Sequence, residues 1–169
     1  MRLFLQSERT LTIFTRITTI RTQARSWSFI GSTVTVTATG DNTVDVYHNG
    51  VSVQHGPVWE YAVSATLTDT CVLAMAVTNR GGPGGLLAST DTGVITDETW
   101  KCSGTLQAGW HLEDFDDSAW DSAYVVGAHG DQPWGVIAGI DGSAKWIWDT
   151  GYAPGHATTY CRKRICDST

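Results

Sequence analysis

Lysine is scarce in this chain of 169 residues, occurring only at Lys101, Lys145 and Lys163, and the formal net charge at pH 7 is −6. That balance disfavours nucleic acid, because holding a phosphate backbone takes a basic face that displaces counterions. No apolar run approaches the roughly eighteen residues that a membrane-spanning helix needs, so no membrane span is expected. The five histidines (His48, His55, His111, His129, His156) fall in no HxH or HExxH spacing, and the cysteines form no C-x-x-C pair, which argues against zinc. There is no G-x-S-x-G elbow, P-loop or dinucleotide fingerprint. The glycines around Pro83 precede no helical pattern, so they do not build a phosphate cradle. No internal repeat is evident.

Tryptophan, by contrast, is plentiful, with eight residues, and 41% of the chain is hydrophobic, an ordinary globular value. Trp offers a large contact area with one N–H, which suits both cores and sugar-binding surfaces. Threonine, valine and glycine are common, a mixture that favours strands and tight turns. Four cysteines, Cys71, Cys102, Cys161 and Cys166, allow two disulfides in three connectivities. An even count in a Trp-rich, Lys-poor β chain points to an oxidising compartment, hence a secreted or extracellular protein. Residues 1–25 differ from the rest: five arginines stand against Glu8 alone, a net of +4, which leaves −10 on the remainder. We expect 1–25 to be a basic tail or an edge strand, and 26–169 to be a single β-sandwich domain.

Alternating short segments run through that domain. Residues 33–39 place Val34, Val36 and Ala38 on one face and threonines on the other, as in a half-buried strand. Residues 40–42 read as a turn. Segments 44–48 and 51–54 flank Asn49-Gly50, the strongest hairpin signal, because both residues accept the positive φ of a type I′ turn. Further strands are expected at 59–67, 72–77, 86–89, 99–103, 124–126, 144–148 and 158–165. Residues 72–77 (VLAMAV) are apolar throughout, as in a central strand covered on both sides. Residues 79–85 and 127–142 are glycine-rich loops. Residues 114–120 (DFDDSAW) are the one convincing helical turn, with Asp117 or Ser118 as its cap. About nine short strands without a long helix predict an all-β jelly-roll sandwich.

Four stretches in this order resemble the galactose-binding-like jelly-roll domain. They are DNTVDVYHNG at 41–50, CVLAMAVTNRGGPGGLLAS at 71–89, FDDSAWDSA at 115–123 and AKWIW at 144–148. Such domains occur as non-catalytic modules of bacterial rhamnosidases and β-galactosidases and in extracellular proteins. The resemblance implies a fold and a binding role, and it does not name a ligand.

The expected function is therefore a lectin-like, carbohydrate-binding module that uses loops at one end of a rigid sandwich. An extracellular protein-interaction or matrix module without a sugar ligand is the alternative, and catalysis is not expected. Trp134 is a candidate stacking platform, with His129 and Asp131 as hydrogen-bonding partners in the same loop. Trp59, after the Gly56-Pro57 break, is a second platform. Asp41 and Asn42 in the first turn, and Arg80 beside the glycine loop, complete the ligand candidates. Asp114, Asp116 and Asp117 are read chiefly as turn formers and secondarily as a structural calcium set, the only cofactor considered, which would need six or more oxygens. Trp100, Trp120, Trp146 and Trp148 are assigned to the core.

Overall fold

A computed structural model describes residues 32–166. The expected basic segment 1–25 lies outside the described residues. The strands are β1 (Thr33–Asp41), β2 (Thr43–His48), β3 (Val51–Gly56), β4 (Val63–Thr68), β5 (Val72–Arg80), β6 (Gly85–Thr90), β7 (Lys101–Ser103), β8 (Asp121–Ser122), β9 (Tyr124–Ala128), β10 (Lys145–Trp148) and β11 (His156–Arg164). They form two antiparallel sheets, one ordered β4-β1-β6-β10-β9 and the other β3-β2-β5-β11-β7-β8. The sheets pack as a jelly-roll-like sandwich, and among the described residues there is no helix.

The chain changes sheet at Asn42, between β1 and β2. Gly40 makes the approach possible, because a Cβ there would lie 2.8 Å from Val77 Cγ1 and 3.0 Å from the Thr43 carbonyl. β2 then turns into β3 through Asn49 (φ 49°) and Gly50 (φ 83°), the positive dihedrals that the type I′ turn demands.

Alternation along the strands sorts side chains into three layers. Val34, Val36 and Ala38 of β1, Leu73, Met75 and Val77 of β5, and Leu86 and Ala88 of β6 fill the space between the sheets. The outward residues of β5, Val72, Ala74 and Ala76, pack under Trp110 and Trp120. On the opposite outer face, Leu87 and Trp146 pack under Trp134, Ile137 and Ile140. Both outer faces are thus partly roofed by long loops, which explains why β5 is buried on both sides. Cys102 pairs with Cys161 directly across the β7–β11 ladder, and Cys71 with Cys166 just beyond the β5–β11 ladder. By joining residues 59 and 95 positions apart, the two bridges each remove a few kcal/mol of unfolded-chain entropy, roughly 4 on the loop-closure model.

Several local expectations need correction. The strand expected from Trp59 begins at Val63, and Trp59 lies in the preceding turn. β1 runs on through Asp41, so the first turn narrows to Asn42. The glycine loop shrinks to residues 81–84, because Asn79 and Arg80 stay in β5 and Gly85 opens β6. Residues 114–120 are not helical: single turns such as Trp120 N–H to Asp117 O (2.9 Å) are not propagated. The cap there is Asp116, whose Oδ1 accepts from Ser118 N–H at 3.0 Å, because Asp117 is drawn away to Arg162. β8 was unexpected, since two exposed residues carry no alternation to read.

Candidate functional site

At the end of the sandwich where β1 hands over to β2, three of the expected ligand residues converge. Asn42 donates its backbone N–H to the Thr78 carbonyl (2.8 Å), and its Oδ1 accepts from the Arg80 N–H (2.6 Å). Its side chain is thereby fixed against the tip of β5. The neighbouring Asn79, 1% exposed, closes the glycine turn by accepting from Gly81 N–H and donating to Gly82 O, both at 3.0 Å. With Asn79 turned in, alternation turns Arg80 out. Its side chain is exposed and belongs to none of the ion pairs among the described residues.

Opposite these residues, Thr39 Oγ1 donates to the Trp59 carbonyl at 2.7 Å and pins the β3–β4 turn to β1. The Trp59 side chain is half-buried and packs against the Trp134–Trp146 cluster. Asn42, Pro57, Val58, Trp59, Glu60 and Arg80 line a shallow pocket of about 230 Å³. It joins a half-buried indole to a guanidinium, a carboxylate and an amide, the combination of apolar platform and few polar groups that suits a small polar ligand. Glu60 had not been singled out as a candidate. Its position beside Trp59 after the Gly56-Pro57 break was the available signal.

Asp41 and Trp134 meet next to this pocket but face inward. Trp134 donates its indole N–H to Asp41 Oδ2 at 2.8 Å, although 93 residues separate them. Burial pushes the Asp41 carboxyl above the ordinary carboxylate range; the Trp134 bond pulls it back, and the negative charge of Glu60 raises it further. The Trp134 ring stacks on Trp146 with centroids 4.5 Å apart and is only 6% exposed. That leaves no free face for a sugar ring, so in this arrangement Trp134 fastens its loop instead of offering a platform.

His129 and Asp131 are likewise spent on the loop that carries them. His129 Nε2 accepts from Ile137 N–H (2.7 Å), which leaves Nδ1 to donate to the Asp141 carbonyl (3.0 Å). Asp131 Oδ2 accepts from Ala128 N–H at 2.7 Å. Neither residue lines the pocket of Asn42, Trp59 and Arg80.

The acidic segment is organised by a cation. Arg162, 1% exposed, makes an ion pair with Asp117 and donates to the carbonyls of Phe115 (3.0 Å) and Leu112 (2.9 Å). Burial lowers its pKa, and the Asp117 charge partly restores it. Asp114, Asp116 and Asp117 therefore do not converge, and among the described residues no three His, Cys, Asp or Glu side chains are grouped so as to hold a metal ion. Arg162 was expected only as part of the strand at 158–165. The signal was its parity with Tyr160, which puts both on the face roofed by the tryptophans.

No protein-family model matches the chain, and no solved structure matches it significantly. One similarity to a characterised protein does emerge. Over 84 residues the chain is 36% identical to an alpha-L-rhamnosidase of Streptomyces avermitilis. The aligned part covers 44% of this chain and only 8% of the rhamnosidase, so less than half of the chain matches a small fraction of that enzyme's length.

Proposed function

We propose that this chain is a non-catalytic carbohydrate-binding module that acts outside the cytoplasm, with its ligand site in the end pocket of Asn42, Trp59, Glu60 and Arg80. One observation carries the reading: Asn42, Trp59 and Arg80, each a candidate from a different part of the sequence, line a single pocket. The indole suits the apolar face of a pyranose, while the Arg80 guanidinium, the Glu60 carboxylate and the Asn42 amide suit its hydroxyls. The rhamnosidase similarity makes an α-L-rhamnoside the first ligand to try. Two disulfides agree with an oxidising compartment. Binding through one shallow pocket is weak, and useful avidity would come from repetition or from linkage to an enzyme.

Calorimetric titration with L-rhamnose, D-galactose and D-galacturonic acid tests the reading. At least one should bind, with Trp59→Ala weakening it about tenfold, near the upper part of what one stacked ring supplies, and Arg80→Ala also lowering affinity. Flat titrations throughout, or binding indifferent to both substitutions, would leave the protein-interaction alternative as the better account.

A further inference from the structure

The outer face of the six-stranded sheet carries a second and larger depression, of about 460 Å³, lined among others by Tyr47, Leu106, Gln107, Trp110, His111 and Tyr160. Its construction follows from the register. Tyr47 on β2 lies opposite Ala74 of β5, and Tyr160 on β11 lies opposite Ala76. The strand between the two tyrosines thus presents only methyl groups, which Trp110 covers, so the rings flank a shallow trough floored by that indole. Trp110 lies between the two tyrosines, edge-on to both rings at 5.2 Å. At 2% exposure it is floor, not platform, whereas Tyr47 and Tyr160 are half-buried and Leu106 stands exposed at the rim.

The polar groups of this trough are unspent. No group among the described residues hydrogen-bonds the Tyr47 hydroxyl, the Tyr160 hydroxyl or the Gln107 amide. His111, stacked on Tyr47, keeps a buried Nδ1 without a partner. No lysine or arginine lines the trough. The nearby cations are committed elsewhere, Arg162 to the Asp117 turn and Lys101 to the Trp120 carbonyl. Burial raises the Tyr47 phenol, with the Asp45 charge and then Tyr160 adding to the shift.

We propose that this trough is a second binding site, separate from the end pocket, for pyranose units of a neutral glycan chain. The Tyr160 ring takes an apolar sugar face, and the phenol and amide groups take the hydroxyls. The absence of a lining cation selects neutral sugars, in contrast to the Arg80 pocket. An open position on a sheet face admits internal units of a chain, not only its end. The site does not depend on the end pocket.

The test titrates the whole chain with xylohexaose, cellohexaose and a β-1,4-galactan hexasaccharide. At least one should bind, Gln107→Ala should weaken that binding about threefold and Tyr160→Phe by a similar factor, with Tyr160→Ala costing tenfold or more if it folds. Gln107 is exposed and Tyr160→Phe keeps the ring, so neither threatens the fold. No binding of any hexasaccharide, or binding unchanged in both Gln107→Ala and Tyr160→Phe, overturns the proposal. Monosaccharide titrations and Trp59→Ala report on the end pocket independently, so failure of one site is not failure of the other.

Discussion

Two long loops roof the two outer faces of the sandwich, and they are held down in opposite ways. Residues 129–142, over the five-stranded sheet and starting later than expected because β9 runs through Ala128, largely satisfy their own backbone. His129 bridges Ile137 to Asp141, Asp131 accepts from Ala128, and Asp141 accepts from Ser143 N–H at 2.7 Å. This loop is then seated chiefly by apolar footing, Trp134, Ile137 and Ile140 on Trp146, with bonds from Trp134 to Asp41 and from Asp141 N–H to Ser89 Oγ beside it. Residues 104–120, over the six-stranded sheet, form isolated turns and leave carbonyls over. That of Phe115 is satisfied from below by Arg162, reaching up from β11, which also adds a second donor to the Leu112 carbonyl beside the 3.3 Å bond from Phe115 N–H. A loop that closes its own hydrogen bonds can be seated by packing, while one that does not must borrow a donor from the sheet, because buried carbonyls left unpaired are costly.

The largest expected effect breaks the borrowed anchor. Arg162→Leu leaves the Phe115 carbonyl and the Asp117 carboxylate without their donor and the Leu112 carbonyl with only the Phe115 N–H, and should lower unfolding free energy by about 3–5 kcal/mol, the usual cost of stripping one partner from a buried charged pair. Chemical denaturation measures it. Arg162→Lys should rescue little, since a single ammonium cannot serve three acceptors in the plane of a guanidinium. A loss below about 1 kcal/mol, the scale of a surface pair, would mean the second loop is seated by Trp110 and Trp120 alone and the contrast between the roofs is false.

The self-closed roof gives a smaller effect. Trp134→Phe keeps an aromatic ring on Trp146 but leaves Asp41 without its indole donor, and should cost about 1–2 kcal/mol in the same measurement. An unchanged midpoint would show that stacking alone seats this loop and that the Asp41 bond adds nothing.

The difference between the two roofs also explains how much could be read in advance. Period-two alternation made the inner layer legible: Val34, Val36 and Ala38 face the core as expected, and the apolar run of β5 is buried on both sides. The turn chemistry of Asn49-Gly50 was equally legible, because it is local. The roofs were not. Whether Trp134 meets solvent or Trp146, and whether Asp117 meets calcium or Arg162, depends on partners in other strands, which no local period encodes. The end pocket lies between these cases. Its members Asn42, Trp59 and Arg80 each showed a local turn or loop signal, but only the crossing of the chain between sheets at Asn42 brings them to one place.

Asp41, where the self-closed roof meets the end pocket, gives the finest test. Its folded pKa stands above the ordinary value of 3.8, so the folded state holds the proton more tightly than the unfolded state. Its contribution is therefore favourable at acid pH, and is withdrawn as pH rises from 3.8 through the raised folded value, beyond which it stays constant. Asp41→Asn keeps an oxygen for the Trp134 N–H but cannot ionise. The stability of the variant relative to the parent should climb across that window and level off above it, read from denaturation midpoints at closely spaced acidic pH values. Because the Trp134 bond holds the Asp41 pKa down and the Glu60 charge pushes it up, Trp134→Phe should extend the window to higher pH and Glu60→Gln should contract it. A flat difference between Asp41→Asn and parent across the window would show that the carboxylate is hydrated as in the unfolded chain, and that the Trp134 loop does not seal the floor beside the pocket.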